Sequence, residues 1–386
     1  MSSRRIYFDH SATTPVDPEV VDAMLPYFGQ VYGNASSIHS FGQEAKVALE
    51  EARRSVAAII GAGPGEIVFT SGGTEGDNWA IKGTASYAGT GKNHIVTSTA
   101  EHQAVLSTCR FLQKKGFEVT YVPVDQSGRV SPERVAAAVR EDTCLVSIMH
   151  ANNEVGTLNP IADVAAMTRE RGILFHTDAV QTFGKLPLDV REMPVDLLTL
   201  SGHKLYGPKG IGALYMRQGL RLDNLLHGGK HERQRRAGTE NVAGAVGLGK
   251  AAALAAGRMT EDARHLEKLH KALRGGIEER IPGAHFNGHE AAFHPGILNV
   301  SFEGAASDSL LLSLDLKGIA VSNGSACTSG TVEPSHVLKA MGLPAHLAGS
   351  ALRFSFGRGN TLEEIETTLA ALTETLQRIR KIKRRA

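Results

Sequence analysis

Cysteine is scarce in these 386 residues: Cys109, Cys144 and Cys327 lie far apart, with no C-x-x-C pair. That excludes a disulfide framework and a structural zinc site of the usual spacing, and it leaves free thiols. Long apolar runs are missing too. No stretch approaches about eighteen apolar residues, and Met1-Ser-Ser-Arg-Arg leads into polar Asp9-His-Ser-Ala-Thr-Thr rather than an apolar signal core. The expectation is a cytoplasmic protein without a membrane span. A net charge of +2 supplies no field for nucleic acid, and the basic clusters Arg233-Gln-Arg-Arg236 and Arg378 to Arg385 read as local, solvated features. Dinucleotide and nucleotide signatures are absent: no strand precedes a G-x-G-x-x-G, and Gly89-Thr-Gly-Lys-Asn lacks the first P-loop glycine and the closing Ser/Thr.

What is present is alternation. Strands are expected at 67–70, 95–97, 119–122, 145–149, 174–177, 197–200 and 212–216, with helices from Thr74, from His102 to Lys115, over 132–140 and over 161–171. This is an α/β pattern with a mainly parallel, seven-stranded sheet. After an alanine-rich helix over 242–256 the pattern shifts to a charged helix over 261–279, strands at 297–302 and 352–356, and a last helix from Leu362. The expected division is a large domain over 15–257 and a smaller α+β domain made of 1–14 and 258–386. No repeat or low-complexity tract interrupts it.

The chemistry gathers where apolar strands end. Lys204 closes the turn Ser201-Gly-His-Lys, 26 positions after Asp178. A lysine so placed can hold pyridoxal phosphate as a Schiff base, while an aspartate from a neighbouring strand keeps the pyridine nitrogen protonated. Taken alone, Lys204 is also readable as a solvated loop cation. Ser201 and His203, however, offer hydrogen bonds suited to a phosphate ester. Thr70-Ser-Gly-Gly-Thr-Glu-Gly-Asp joins a strand to a helix, where Gly73 and Thr74 would present a phosphate to free N–H groups, with Thr74 as N-cap. Asp178 and Gln181 stand three apart, so one could face a pyridinium and the other the ring hydroxyl. Each pKa unit Asp178 adds to the ring nitrogen is about 1.4 kcal/mol of differential stabilisation.

His102 follows a strand at a helix start, where its ring could stack on a flat cofactor and relay protons. Asn153 also follows a strand, at the end where α/β sheets bind ligands. Arg353, among apolar strand residues, could clamp a substrate carboxylate. Cys327 sits in the small-residue stretch Ser322-Asn-Gly-Ser-Ala-Cys-Thr-Ser-Gly-Thr, a poor place for a core cysteine, whereas Cys109 and Cys144 fall in helix and strand patterns and read as structural. Ser201-x-x-Lys204 also fits the signature of penicillin-recognising serine enzymes, but neither S-D-N nor K-T-G occurs.

Taken together, Asp9-His-Ser-Ala-Thr-Thr-Pro, Ser71-Gly-Gly-Thr-Glu-Gly-Asp-Asn, His150-Ala-Asn-Asn-Glu-Val-Gly, Ser201-Gly-His-Lys-Leu-Tyr-Gly-Pro-Lys-Gly, His231-Glu-Arg, Arg236-Ala-Gly-Thr and Ser325-Ala-Cys-Thr-Ser resemble the cysteine desulfurases, and more narrowly the branch serving nitrogen fixation and general iron–sulfur cluster assembly. The likeness runs from about Tyr7 to Arg358. It implies a fold-type I pyridoxal phosphate enzyme, homodimeric, with active sites at the subunit interface. By the same resemblance Lys204 is the Schiff-base lysine, Asp178 pairs the pyridine nitrogen, Gln181 contacts the ring hydroxyl and His102 stacks on the ring. Gly73, Thr74, Ser201 and His203 hold the phosphate, with Thr239 supplied by the partner subunit. Asn153 and Arg353 match cofactor- or substrate-binding positions, the arginine taking the carboxylate of L-cysteine, and Asn34 assists.

The implied reaction converts L-cysteine to L-alanine. Cys327, as thiolate, takes the substrate sulfur as a persulfide and passes it to an acceptor protein such as an iron–sulfur scaffold. No resident metal is implied, and a cluster would meet the chain only transiently, at Cys327. Two departures stand out. The phosphate turn has Gly-Gly-Thr-Glu-Gly where many relatives have alanine and serine, and the chain ends in Lys381-Ile-Lys-Arg-Arg-Ala where general cluster-assembly relatives continue into a scaffold-docking tail, so a dedicated acceptor is expected. The competing readings are a related aminotransferase or selenocysteine lyase that does not need Cys327, and a catalytically idle scaffold.

Overall fold

The computed structural model describes residues 5–89, 91–324 and 334–383. A seven-stranded sheet forms the centre: β1 (Ile67–Thr70), β2 (His94–Ser98), β3 (Glu118–Val122), β4 (Thr143–Ser147), β5 (Leu174–Asp178), β6 (Leu197–Ser201) and β7 (Gly212–Met216), in the order β1-β7-β6-β5-β4-β2-β3. β7 runs antiparallel to both neighbours and every other pairing is parallel. β1, β2 and β4 to β7 are buried along their whole length except at Leu174, as expected of a sheet covered on both faces. Among the helices that flank it are α1 (Ser40–Ala58), α2 (Gly73–Tyr87), α3 (Gln103–Gln113) and the start of α4 (Val242–Arg280).

The expected strands are all present, several of them one or two residues longer or shifted. One helix differs from expectation. The alanine-rich and charged segments are not two helices but the single 39-residue α4, which passes through Gly257 unbroken. Its first half places Ala245, Leu248, Ala251, Ala252 and Ala255 in the hydrophobic cluster around the sheet. Its second half places Leu266, Leu269, Leu273 and Ile277 in a separate cluster with Leu298, Phe302, Leu352, Phe354 and Leu372. Burial at both ends offsets a mid-helix glycine, which costs about 1 kcal/mol relative to alanine.

The second cluster is built on a three-stranded antiparallel sheet in which Ile297–Phe302 lies between Ala351–Ser355 and Ala284–Asn287. The N-terminal segment joins it: Ile6–Tyr7 pairs in parallel with Ile319–Ala320, and Ile6 and Phe8 are buried there. Among the described residues no helix is long and apolar enough to cross a membrane.

Candidate active site

Because β1 has the same direction as the parallel strands, all their carboxyl ends meet along one edge of the sheet, the edge at which α/β sheets bind ligands. A cavity of about 330 Å³ opens there, lined by Ala12, Gly73, Thr74, Asp77, His102, Met149, Asn153, Asp178, Val180, Gln181, Ser201, His203 and Lys204. Nine residues singled out from the sequence share this one cavity.

The turn after β1 is shaped by glycine. Gly72 has φ 155°, and a Cβ on Gly73 would sit 2.8 Å from Val180 Cγ2, so the backbone can close against β5 and β6 only without side chains there. The N-cap of α2 is Gly72, two residues before the expected Thr74, and the helix starts at Gly73. Thr74 therefore lies in the first turn, its hydroxyl free of capping duty. Glu75 anchors this turn by accepting from Ser71 N at 2.8 Å and from Arg236 Nε at 2.9 Å, and these bonds hold its carboxyl below the usual range against the opposing effect of burial.

Asp178 ends β5 buried, with Oδ1 accepting from Val180 N at 2.9 Å. Asp77, one turn into α2, is buried against it: ligand atoms of Asp77, His102 and Asp178 all lie within 4.8 Å of one another. Burial raises the pKa of both carboxyls. In Asp77 the charge of Asp178 adds to the rise, and in Asp178 it is opposed by His102 and Lys204. Behind them, His176 Nε2 meets Thr199 Oγ1 at 3.0 Å and Asp77 Oδ1 at 3.6 Å, and burial drives this imidazole to about 3, so it stays neutral. Glu101 receives Ser98 Oγ at 2.6 Å and Met149 N at 3.0 Å, and burial raises its carboxyl to about 8.

His102 is the N-cap of α3, its Nδ1 accepting from Ala104 N at 3.2 Å, which assigns the ring proton to Nε2. Lys204 Nζ donates to the carbonyls of Ser11 and, at 2.6 Å, Ala12. Burial first, then the nearby Lys185 and Arg353, lowers this amine to about 7 against the pull of Asp9 and Asp178. Gln181 Nε2 donates to Ser11 O at 3.1 Å, and its buried Oε1 has no partner. Burial and the adjacent lysines hold His203 near 4.

These features fit pyridoxal phosphate: a half-neutral lysine, buried carboxylates, the imidazole of His102 on the cavity wall, and a helix N-terminus. Arg353 borders the cavity from outside, donating to Asn153 O at 2.8 Å and Asp9 Oδ1 at 2.6 Å, with its buried Nε unpartnered. Asn34 and Thr239 are exposed and do not line the cavity. Cys327 lies outside the described residues, but both neighbours of that segment are pinned at the cavity's rim. Ser335 Oγ donates to Glu154 Oε2, the same oxygen lies 2.7 Å from where a Cβ on Gly324 would be, and Ser322 bridges to Arg353. Cys109 and Cys144 are buried, and burial pushes their thiols to about 12 and about 11, far from thiolate. Asp77, Glu101, Glu154 and Lys185 were not foreseen, since nothing local marks a helical or loop acid as buried.

A family model described as aminotransferase class-V matches residues 6–368. A cysteine desulfurase, IscS, of Methanosarcina thermophila is 51% identical over 378 residues, covering 98% of this chain and 93% of that protein. Among solved structures, a NifS-like protein superposes with a TM-score of 0.91 at 41% identity, over 97% of this chain and 100% of that one. A structure of SspA in complex with cysteine superposes at 0.82 with 39% identity, over 91% and 98%. This chain belongs to the class-V aminotransferase family. Within that family its likeness is to the cysteine desulfurases.

Proposed function

We propose that this chain is a pyridoxal phosphate-dependent cysteine desulfurase that converts L-cysteine to L-alanine and carries the sulfur away on Cys327. The observation that bears most of this reading is that the flanks of the Cys327 segment are held beside the cavity that contains Lys204, Ser335 by Glu154, next to Asn153, and Ser322 by Arg353. The cofactor, when bound, supplies an electron sink for the pair left by the substrate's α-proton. The chain's own groups do the rest.

Lys204, lowered to about 7, is available near neutral pH as a free amine, both to hold the cofactor and to take the α-proton. With the cofactor bound, Asp178 would hold a proton on the ring nitrogen, Gln181 would address the ring hydroxyl and His102 would lie against the ring. Gly73, Thr74, Ser201 and His203 would receive the phosphate. Asn153 and Arg353 orient the substrate carboxylate, the arginine already aimed by Asp9. The Cys327 thiolate attacks the substrate sulfur; the S–S bond forms as the S–Cβ bond breaks, the electron pair goes to Cβ, and protonation at Cβ together with return of a proton to Cα yields alanine and a Cys327 persulfide.

The same reading includes a homodimer in which Thr239 serves the partner's cavity, and Asn34 assists in binding the substrate. In support, both are exposed here, and Val21, Leu25, Phe28, Tyr32, Ile38 and Phe41, around Asn34, form an exposed apolar surface. It also includes the division into 15–257 and 1–14 with 258–386, a cytoplasmic location consistent with free Cys109 and Cys144, and an acceptor protein for the persulfide, such as an iron–sulfur scaffold. The test is Cys327→Ser on the loaded enzyme. Sulfur release from L-cysteine is expected to vanish while the cofactor's visible absorbance and its change on adding L-cysteine persist; undiminished release of sulfur overturns the reading.

A further inference from the structure

Lys204 is not the only half-buried lysine at this edge. Lys185 ends the turn that follows β5, its N–H donating to Thr182 O at 3.0 Å, and its side chain lines a small inner cavity of about 20 Å³ with His10, Ser11, Tyr206, His294 and Arg358. Ser11 is the shared wall. It borders this inner cavity, and its carbonyl receives both Lys204 Nζ and Gln181 Nε2. One backbone segment therefore separates the two amines.

Among the described residues no carboxylate pairs with Lys185. Asp262, the acid on the cavity wall, is held by Arg358 Nε at 2.6 Å, and Arg358 also reaches Asp17 at 3.6 Å. The imidazoles facing Lys185 do not share its charge: His10 Nδ1 and His294 Nε2 are buried without partners, and burial, with Lys185 adding, holds the rings near 4 and 3. A lone ammonium kept this close in a poorly hydrated wall acts on the next titratable amine.

We infer that Lys185 is a positioning residue acting through Lys204: its ammonium, behind the Ser11 wall, keeps the Lys204 amine in the free-base form that can join an aldehyde and later accept a substrate proton. The inference rests on Lys204 being the cofactor lysine. Both amines are shifted in the direction this requires, Lys185 to about 8 by burial and Arg358, and Lys204 to about 7. Facing Lys204, Arg353 assists and Asp9 and Asp178 oppose, while His203, itself held neutral, adds no charge. Facing Lys185 are Arg358, paired with Asp262, and the two neutral imidazoles.

The test compares Lys185→Met with Lys185→Arg. In cofactor-free protein, the pH dependence of acylation of Lys204, read by mass spectrometry on its own peptide, gives its midpoint. In loaded protein, the pH titration of the visible absorbance gives a second midpoint, that of the same nitrogen once it is joined to the cofactor. Lys185→Met is expected to raise both midpoints by about one pH unit or more, since a like charge is removed, and Lys185→Arg to leave both near wild type. A folded Lys185→Met protein with unmoved midpoints overturns the inference. Should that variant not fold, Lys185→Gln takes its place, and a wild-type Lys204 midpoint at the ordinary lysine value overturns the inference without any variant. A Lys204→Ala protein that still forms the chromophore overturns the cofactor assignment instead, a separate result, because acylation reads the amine directly.

Discussion

On one side of the sheet, Arg53 and Glu232 lie almost wholly buried with every charge answered: Arg53 Nη1 and Nη2 meet the two Glu232 oxygens at 2.6 and 2.8 Å, Arg53 also donates to Ile67 O, and Phe69 N donates to Glu232. At the strands' carboxyl ends, equally buried Asp77, Asp178 and Glu101, with the half-buried Lys204, are left without a carboxylate–ammonium contact of that quality, and each has its pKa moved toward neutrality. The first cluster is closed by hydrogen bonds on every side and fixes a loop. It holds Glu232, Arg233 and Gln234 in left-handed backbone, φ 46°, 57° and 68°, at a cost the bidentate pair offsets. The second cluster trades stability for groups that can gain or lose a proton near neutral pH, as a site for proton transfer requires. Paired burial is structural here, and unpaired burial is functional.

Four substitutions press on that distinction. The largest effect is expected from Lys204→Ala, which should remove the visible chromophore and lower alanine formation by at least about 10³-fold while the melting temperature is kept or raised; retained turnover would end the functional half of the contrast. Glu232→Ala should cost about 3–5 kcal/mol in denaturant unfolding, because it leaves the Arg53 charge buried alone, while the Lys204 midpoint stays where it was. Asp178→Asn should act with the opposite sign on stability. In cofactor-free protein it is expected to stabilise by about 1 kcal/mol, by removing an acid that burial disfavours as an anion, and to weaken cofactor retention on gel filtration.

The smallest effect concerns pH. Glu101, raised to about 8 by burial, binds a proton in the folded state that the unfolded chain has lost above its ordinary carboxyl range. Its contribution is therefore fully present at low pH and disappears as pH rises through about 8. Glu101→Gln should flatten that part of the stability-versus-pH curve; an unchanged slope would show that the carboxyl ionises freely in place.

The cavity was legible because its parts stand at strand ends in segments with little other purpose. Ser201 to Lys204 and Gly73–Thr74 are turns whose residue types are not explained by packing, and Asp178 closes an apolar strand. What was not legible depends on partners far away in sequence. Glu101 is buried by Met149, 48 positions on, and Asp77 by β5 and β6, so neither announces itself within its own helix or loop. Lys185 follows Gly184 in an unremarkable turn, and only the fold brings it to Ser11. The continuity of α4 was hidden for a related reason: its two halves face different cores, so its hydrophobic pattern changes midway although the backbone does not.

That helix has a mechanical consequence. At 1.5 Å per residue, α4 is about 58 Å long, so a rotation of one degree about its midpoint moves each tip by about 0.5 Å. One tip is set in the layer beneath Lys204's sheet and the other in the cluster that carries Arg353. The 2.8 Å bond from Arg353 to Asn153 ties the smaller sheet to the cavity's edge, so the two ends of this one rod share a common reference for the carboxylate-binding arginine.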